Sequence, residues 1–385
     1  MVDLFEKCSQ GKSARAKQAI EEGWYPYFIA IESGADTTVT IHGHEKVMIG
    51  SNNYLGLTQD KRVKQAAKAA IDKFGSGCTG SRFLNGTLTL HEELEERLAD
   101  FMHMESALLF STVFQTNQVT IATLVGRKDM VVGDADNHAS IVDGTRLAFG
   151  RSLKYRHNDM DDLDDLLSRN GVTGGVLIVT DGVFSMGGDI ANLPKLIEVA
   201  QKHGARIMVD DAHSIGVLGK TGAGTAEHFG LTDNVDLVMG TFSKSFASLG
   251  GFIAGREEVI RHIKHTARAL IFSASPPPSA VATVLACLDI LQKEPERLDN
   301  LWRNYEKMKK GYAELGFNTG SSQTPIIPIM IGEDEKTFTF WRLLFENGVV
   351  CNPVISPAVP PGMGLLRTSY MATHTEAELD RVLET

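Results

Sequence analysis

The chain has 385 residues, 43% of them apolar and 22% charged, which suits one large domain plus a smaller one and excludes disordered and fibrous classes. Its formal net charge of −10 argues against nucleic acid as the main partner, although a local basic patch could still hold an anionic ligand. Cys8, Cys78, Cys287 and Cys351 show neither C-x-x-C pairing nor zinc spacing. Met1 leads into no basic-then-apolar signal, and no apolar run approaches the roughly 20 residues of a membrane span, so a reducing, cytoplasmic setting is expected.

Residues 1–45 read as an N-terminal arm: a helix over Ala14–Glu22, an aromatic stretch Trp24–Phe28 and a hairpin about His42-Gly43-His44. Residues 60–74 are alanine-rich without proline, and Leu90, Leu94, Leu98, Phe101 and Met102 fall three or four apart, so both segments are expected to be helices. From about Ser106 to Ala254, β-rich runs alternate with helical ones such as Pro194–His203. That is the rhythm of βα units around a mainly parallel sheet. The cluster Ser275-Pro-Pro-Pro-Ser279 breaks it, followed by a long helical stretch to about Leu315 and strands near Pro325–Met330. The expected division is an arm over 1–45, a large domain over 46–274 and a smaller C-terminal α+β domain over 275–385.

Three motifs mislead. Gly75-Ser-Gly-Cys-Thr-Gly80 matches a dinucleotide fingerprint but follows a helix, whereas that fingerprint joins a strand to a helix. Gly219-Lys220-Thr221 ends like a P-loop, yet Ser214 stands where the first glycine belongs. The acidic run Asp159–Asp165 lacks the glycine and terminal glutamate of a calcium loop and reads as a solvated helix start capped by Asn158. His262 and His265 have no third ligand nearby and read as helix-surface residues.

Polar residues gather where apolar runs end. Lys244 lies in Gly240-Thr-Phe-Ser-Lys-Ser245 after the run from Leu237, Asp210 and His213 follow Ile207–Val209, His138 follows Met130–Gly133, and Ser185 follows Val176–Thr180. In open α/β sheets ligands bind at such carboxyl ends. A strand delivering an amine beside one delivering a carboxylate is the layout of a pyridoxal 5'-phosphate site. The aldehyde requires a lysine, the ring nitrogen an anion, and the phosphate hydroxyl and N–H donors such as Thr241 and Ser243 can offer.

With these residues assembled, the chain resembles the α-oxoamine synthase family of fold type I, aspartate aminotransferase-like, pyridoxal phosphate enzymes over essentially its whole length. The matching blocks are Ser51–Gly56, Gly75–Thr87, Asp136–Ser140, Asp181–Met186, Asp210–Ser214, Gly240–Ser245, Phe272–Pro277 and Leu366–Ser369. The resemblance implies a homodimer with shared active sites and a decarboxylative condensation of an amino acid with an acyl-CoA. It assigns Lys244 as the cofactor-linking lysine and proton-transfer base, Asp210 as partner of the pyridine nitrogen, His213 as donor to the phenolic oxygen and His138 as the ring-stacking group. Thr241, Ser243, Ser185, the N–H groups of Val113 and Phe114 and, from the other subunit, Ser273 complete the cofactor set. Arg367, Asn53 and Ser81 fall to the substrate, with Arg367 offering a carboxylate the planar pair of donors a lysine lacks.

The forms Thr-Phe-Ser-Lys-Ser and Arg-Phe-Leu-Asn-Gly-Thr side with members that join L-serine to a long-chain acyl-CoA, making a 3-keto sphingoid base for sphingolipid synthesis. Use of alanine with pimeloyl-CoA or of glycine with acetyl-CoA stays open, as does peripheral membrane association; a catalytically silent subunit is opposed by Lys244. One departure stands out. Relatives read Ser-Thr-Gly-aromatic where this chain has Ser111-Thr-Val113-Phe114; a β-branched valine adopts positive φ with difficulty and adds bulk close to the ring, so a different local backbone or a different seat for the cofactor is expected.

Overall fold

A computed structural model describes residues 3–385. Its strands are Thr38–Ile41 (β1), His44–Met48 (β2), Ser106–Phe110 (β3), Met130–Asp134 (β4), Arg151–Tyr155 (β5), Val176–Asp181 (β6), Arg206–Asp210 (β7), Leu237–Thr241 (β8), Gly251–Gly255 (β9), Ile326–Gly332 (β10), Val349–Val350 (β11), Asn352–Val354 (β12) and Gly364–Ser369 (β13). Seven of them form one sheet in the order β3-β9-β8-β7-β6-β4-β5. The pairs from β8 through β7, β6 and β4 to β5 are parallel, and β9 runs antiparallel to both β3 and β8. Strands β4, β8 and β9 are buried at every position, as expected of unbroken apolar runs with helices on both faces. All parallel strands point their carboxyl ends to one edge, where β4, β6, β7 and β8 finish on Asp134, Asp181, Asp210 and Thr241.

The helices at Lys61–Phe74 and Thr89–Phe101 form as expected, but the long stretch after the proline cluster is two helices, Pro278–Lys293 and Glu296–Glu314. Pro295 separates them, since a proline lacks the N–H that a continuing helix needs. The first helix buries Val281, Val284, Leu288 and Leu291 in the same core as Leu94, Leu98, Val132 and Val209. The second sends Tyr305, Met308 and Tyr312 into another core with Ile327, Ile329, Trp341 and Leu366. The second helix thus packs with the smaller C-terminal unit. β2 pairs with β1 and, in parallel, with β11, and Val47 and Ile49 join the same core. Antiparallel β10, β13 and β12 complete that unit.

The acidic run does start a helix, Met160–Arg169, but Asp159 rather than Asn158 is its cap, accepting the N–H of Asp162. Asn158 lies one residue earlier, at φ 53°, where a short polar side chain tolerates the left-handed region. Gly75 follows a helix and His262 and His265 lie exposed on Glu257–Thr266, as the sequence reading expected.

Candidate active site

At the carboxyl edge of the sheet a cavity of about 230 Å³ is lined by Lys244, Asp210, His213, His138, Thr241, Ser243, Ser185, Val113 and Phe114, together with Asp181, Val183 and Ala212. A roomier cleft of about 550 Å³ between the Thr89–Phe101 and Glu257–Thr266 helices is lined by a mixture of acidic, basic and apolar side chains and shares none of these groups. The smaller cavity holds the convergent chemistry.

The acid is fixed from two sides. Asp210 Oδ1 accepts the N–H of Ala212 at 3.0 Å and Oδ2 accepts Nδ2 of Asn117 at 2.7 Å. Asp181, in register with Asp210 on the neighbouring strand, accepts the His138 N–H through Oδ2 at 3.1 Å, while its Oδ1 is buried without a partner among the described residues. Burial first, and then the Asp210 charge, push the Asp181 carboxyl well above the usual carboxylate range, with Lys244 opposing.

The Lys244 side-chain amine has no hydrogen-bond or ion-pair partner among the described residues. Burial lowers its pKa to about 7 against the pull of Asp210, and Arg367 adds to the lowering. A neutral amine is thus available near pH 7. Burial likewise drives His213 well below 6.5, with the Lys244 and Arg367 charges contributing. Its Nδ1 lies 2.7 Å from the buried Tyr54 hydroxyl, so the neutral ring with Tyr54 donating presents an Nε2–H to the cavity.

The end of the cavity at Thr241 and Ser243 has a different construction. Thr241 and Ser243 hydroxyls lie 2.8 Å apart, and the Ser243 N–H donates to Thr241 Oγ1 at 3.0 Å. Opposite them starts the helix Val113–Leu124, capped by Thr112 accepting from Gln115 N–H at 3.2 Å. The cap leaves the N–H groups of Val113 and Phe114 as the open donors of the first turn. Val113 is right-handed helical and absent from the positive-φ positions, so this backbone asks no positive φ of the valine. Its side chain lies over Gly251, where a Cβ would meet Val113 Cγ2 at 3.0 Å.

Arg367, from β13, reaches the cavity's edge. Its Nε donates to the Ser185 carbonyl at 2.6 Å and its Nη2 to Asn52 Oδ1 at 3.0 Å. Asn53 does not join it, contrary to the sequence reading: its Oδ1 accepts the Leu57 N–H and its Nδ2 donates to Thr58 Oγ1. Both ends of that amide are used in the local turn, and Asn52 is the neighbour of Arg367. Ser81 and Ser273 also lie outside the cavity. The Ser81 hydroxyl is buried without a partner among the described residues, and Ser273 Oγ accepts from Gln115 Nε2 at 2.9 Å.

Ser185 is held by a clamp behind it. His157 bridges Asp134 at 3.0 Å and Asp189 at 2.9 Å, and those two hydrogen bonds push its pKa up to about 10. The charged ring ties the 182–191 turn to the end of β4. Sequence reasoning did not assign His157, Asp181, Asn117, Asn52 or Tyr54. Asp181 carried the clearest signal, ending an apolar run as Asp210 does.

The open groups match the expected cofactor part by part: an unpaired amine, paired acids on adjacent strands, and a helix start facing two hydroxyls. The sequence over residues 44–385 matches the family described as aminotransferase class I and II. The chain belongs to that family. Within it the relatives place the chain among the α-oxoamine synthases. It is 53% identical to the serine palmitoyltransferase of Sphingobacterium spiritivorum, over 94% of this chain and 91% of that one. Against the 8-amino-7-oxononanoate synthase of Symbiobacterium thermophilum it is 43% identical, over 94% and 93%. A high-resolution structure of SPT with PLP as internal aldimine superposes with a TM-score of 0.96 at 38% identity, covering 100% of this chain and 97% of that one. The architecture is therefore the fold type I transferase fold expected from the sequence.

Proposed function

We propose that this α-oxoamine synthase is a pyridoxal 5'-phosphate-dependent serine palmitoyltransferase. It joins L-serine to palmitoyl-CoA, and the products are a 3-keto sphingoid base, carbon dioxide and free CoA thiol. The observation that carries the reading is the convergence of Lys244, Asp210, His213 and His138 on one cavity. Relatives of that name at 50–53% identity, above the 41–43% of the 8-amino-7-oxononanoate synthases, select the substrate pair.

Pyridoxal phosphate, when bound, supplies an aldehyde for an amino group and a protonated ring that withdraws electrons from the substrate α-carbon. Asp210 would hold the proton on the ring nitrogen: a carboxylate about 4 Å from a pyridinium is worth on the order of 4 kcal/mol at an effective dielectric near 20. His213 would donate Nε2–H to the phenolic oxygen, and His138 would cover the ring face. Thr241, Ser243 and the N–H groups of Val113 and Phe114 would hold the phosphate. Lys244, neutral near pH 7, removes the α-proton of serine and returns one after carbon dioxide leaves. Arg367, with Asn52 beside it, holds the serine carboxylate.

We further propose a homodimer. Phe83, Leu84 and Phe272 are 56%, 77% and 80% exposed, in the same two segments as Ser81 and Ser273. A second copy would cover these side chains and bring Ser273 to a neighbouring site, and light scattering tests it. No helix among the described residues is long and apolar enough to cross a membrane, and a cytoplasmic enzyme releasing its lipid product at a membrane surface fits that reading.

The deciding experiment is a panel of serine, alanine and glycine against palmitoyl-, pimeloyl- and acetyl-CoA, read by thiol release. Serine with palmitoyl-CoA is expected to dominate, because each buried methylene adds about 0.8 kcal/mol. Equal or better turnover of alanine with pimeloyl-CoA, or of glycine with acetyl-CoA, would overturn the substrate assignment.

A further inference from the structure

Two side chains of the site are joined by one that touches neither the cavity nor any expected ligand. Asn117 lies one turn into the Val113–Leu124 helix, fully buried. Its Nδ2 is 2.7 Å from Asp210 Oδ2 and 2.8 Å from Ser140 Oγ, while its Oδ1 is buried without a partner among the described residues. The Asp210 carboxylate settles the orientation of this amide, since turning it over would set oxygen against oxygen. Both hydrogens of Nδ2 are thereby committed, one to each neighbour.

The consequence passes through Ser140. Its hydroxyl accepts from Asn117 and so directs its own hydrogen to His138 Nδ1, 2.7 Å away; the Ser140 N–H points at the same nitrogen from 3.3 Å. With Nδ1 an acceptor, the neutral His138 ring carries its hydrogen on Nε2. The packing is built for this reach. The helix Ala139–Leu147 approaches at Gly144, where a Cβ would meet Ile121 Cδ1 at 3.0 Å and the Asn117 carbonyl at 3.1 Å.

Resting on the cofactor roles proposed for Asp210 and His138, we propose that Asn117 is a positioning residue that sets the Asp210 carboxylate and the His138 tautomer together. An interior amide oxygen left unsatisfied is costly, and fold stability alone gives no reason to keep one here. The two N–H groups are what the site uses. Because Asn117 stands on the helix whose first turn faces Thr241 and Ser243, the same element registers the phosphate end against the acid.

The test compares Asn117→Ala and the near-isosteric Asn117→Asp with the parent enzyme. Cofactor affinity is titrated spectroscopically on the stripped protein, the His138 tautomer is read from nitrogen-15 spectra of histidine-labelled protein, and kcat and the serine KM are measured on the reloaded enzyme. Asn117→Ala is expected to weaken cofactor binding about tenfold, the scale of one lost hydrogen bond to a charged group. It should also turn His138 into a mixture of tautomers and lower kcat while leaving the serine KM within about twofold, since Arg367 is untouched. Asn117→Asp should bind cofactor more weakly still, because its carboxylate faces Asp210, with Asp181 and Lys244 lining the same cavity. If the alanine variant does not fold, the aspartate variant, equal in size, carries the test. Unaltered cofactor affinity with a single His138 tautomer in the folded variants would overturn the proposal. A parent protein that binds no cofactor would overturn the functional reading instead, and the tautomer in stripped protein would still report the link through Ser140.

Discussion

The two halves of the cavity are assembled by different means. On the side proposed for the cofactor, Asp181, Asp210, Thr241 and the residues just beyond them come from adjacent strands of one sheet, so backbone register alone brings them together. On the side proposed for the substrate, Arg367 comes from the antiparallel sheet of the smaller unit and is held by Ser185 and Asn52 from two other segments. Parallel strands of one sheet give a rigid seat that needs no partner to take shape. A site edge made between units can adjust when the units move, which suits the part that admits and releases small molecules.

The contrast is broken most severely at Lys244. Lys244→Ala should abolish turnover in the thiol-release assay while the cavity still takes up pyridoxal phosphate, because Asp210, Thr241, Ser243 and the helix start remain. A variant that keeps more than a small fraction of parental activity would remove Lys244 from the chemistry. Arg367→Ala should instead spare the cofactor side and cost about 2–5 kcal/mol in serine binding, typical of removing one partner of a charge-assisted pair. Spectral titration with serine measures it. Unchanged serine affinity, or an equal loss for palmitoyl-CoA, would show that the two halves are not separable in this way.

Legibility in the sequence followed the same division. Lys244, Asp210, His213 and His138 could be read because each follows an apolar run, and a parallel sheet converts that one-dimensional position into a place on its carboxyl edge. The order of strands and the antiparallel β9 could not be read from the runs themselves. Asn52 and Asn53 show the limit at the other half: both are polar neighbours in one turn, and only the hydrogen bonds of Asn53 to Leu57 and Thr58 decide which faces Arg367. Asn117 was invisible because a helix interior gives an asparagine no periodic signal, and its role depends on a partner 93 residues away.

A milder perturbation is pH. Lys244 is expected to ionise near 7, far below the ordinary lysine at 10.5, so its reactive neutral form predominates above about pH 7 and falls tenfold for each unit below it. The rate at which stripped enzyme captures pyridoxal phosphate should follow that curve, after correction for the cofactor's own ionisations. Capture that keeps rising with a midpoint near 10 would mean an unperturbed lysine and a wetter cavity than the structure shows. The same lowering has a stability sign. Between the folded value near 7 and the unfolded 10.5, the unfolded chain binds a proton that the folded one does not, so this group makes the cofactor-free fold more stable as pH rises through that window.

The smallest expected effect is at Val113, where the sequence suggested a different backbone or cofactor seat and the structure shows a right-handed residue. A valine forced to positive φ would be relieved by Val113→Gly, which should then tighten cofactor binding. In a right-handed first helical turn, with the side chain packed over Gly251, glycine relieves nothing. It loosens the helix start by up to about 1 kcal/mol, which for a chain of this size is roughly 2 °C in melting temperature. Cofactor affinity should stay within about twofold of the parent or weaken slightly, because the N–H groups of Val113 and Phe114 survive the substitution but are less firmly held. Calorimetry and a cofactor titration on the same preparation check both numbers. Tighter binding in the glycine variant would show that the valine crowds the phosphate, and would make the rigid half of the site the one still under strain.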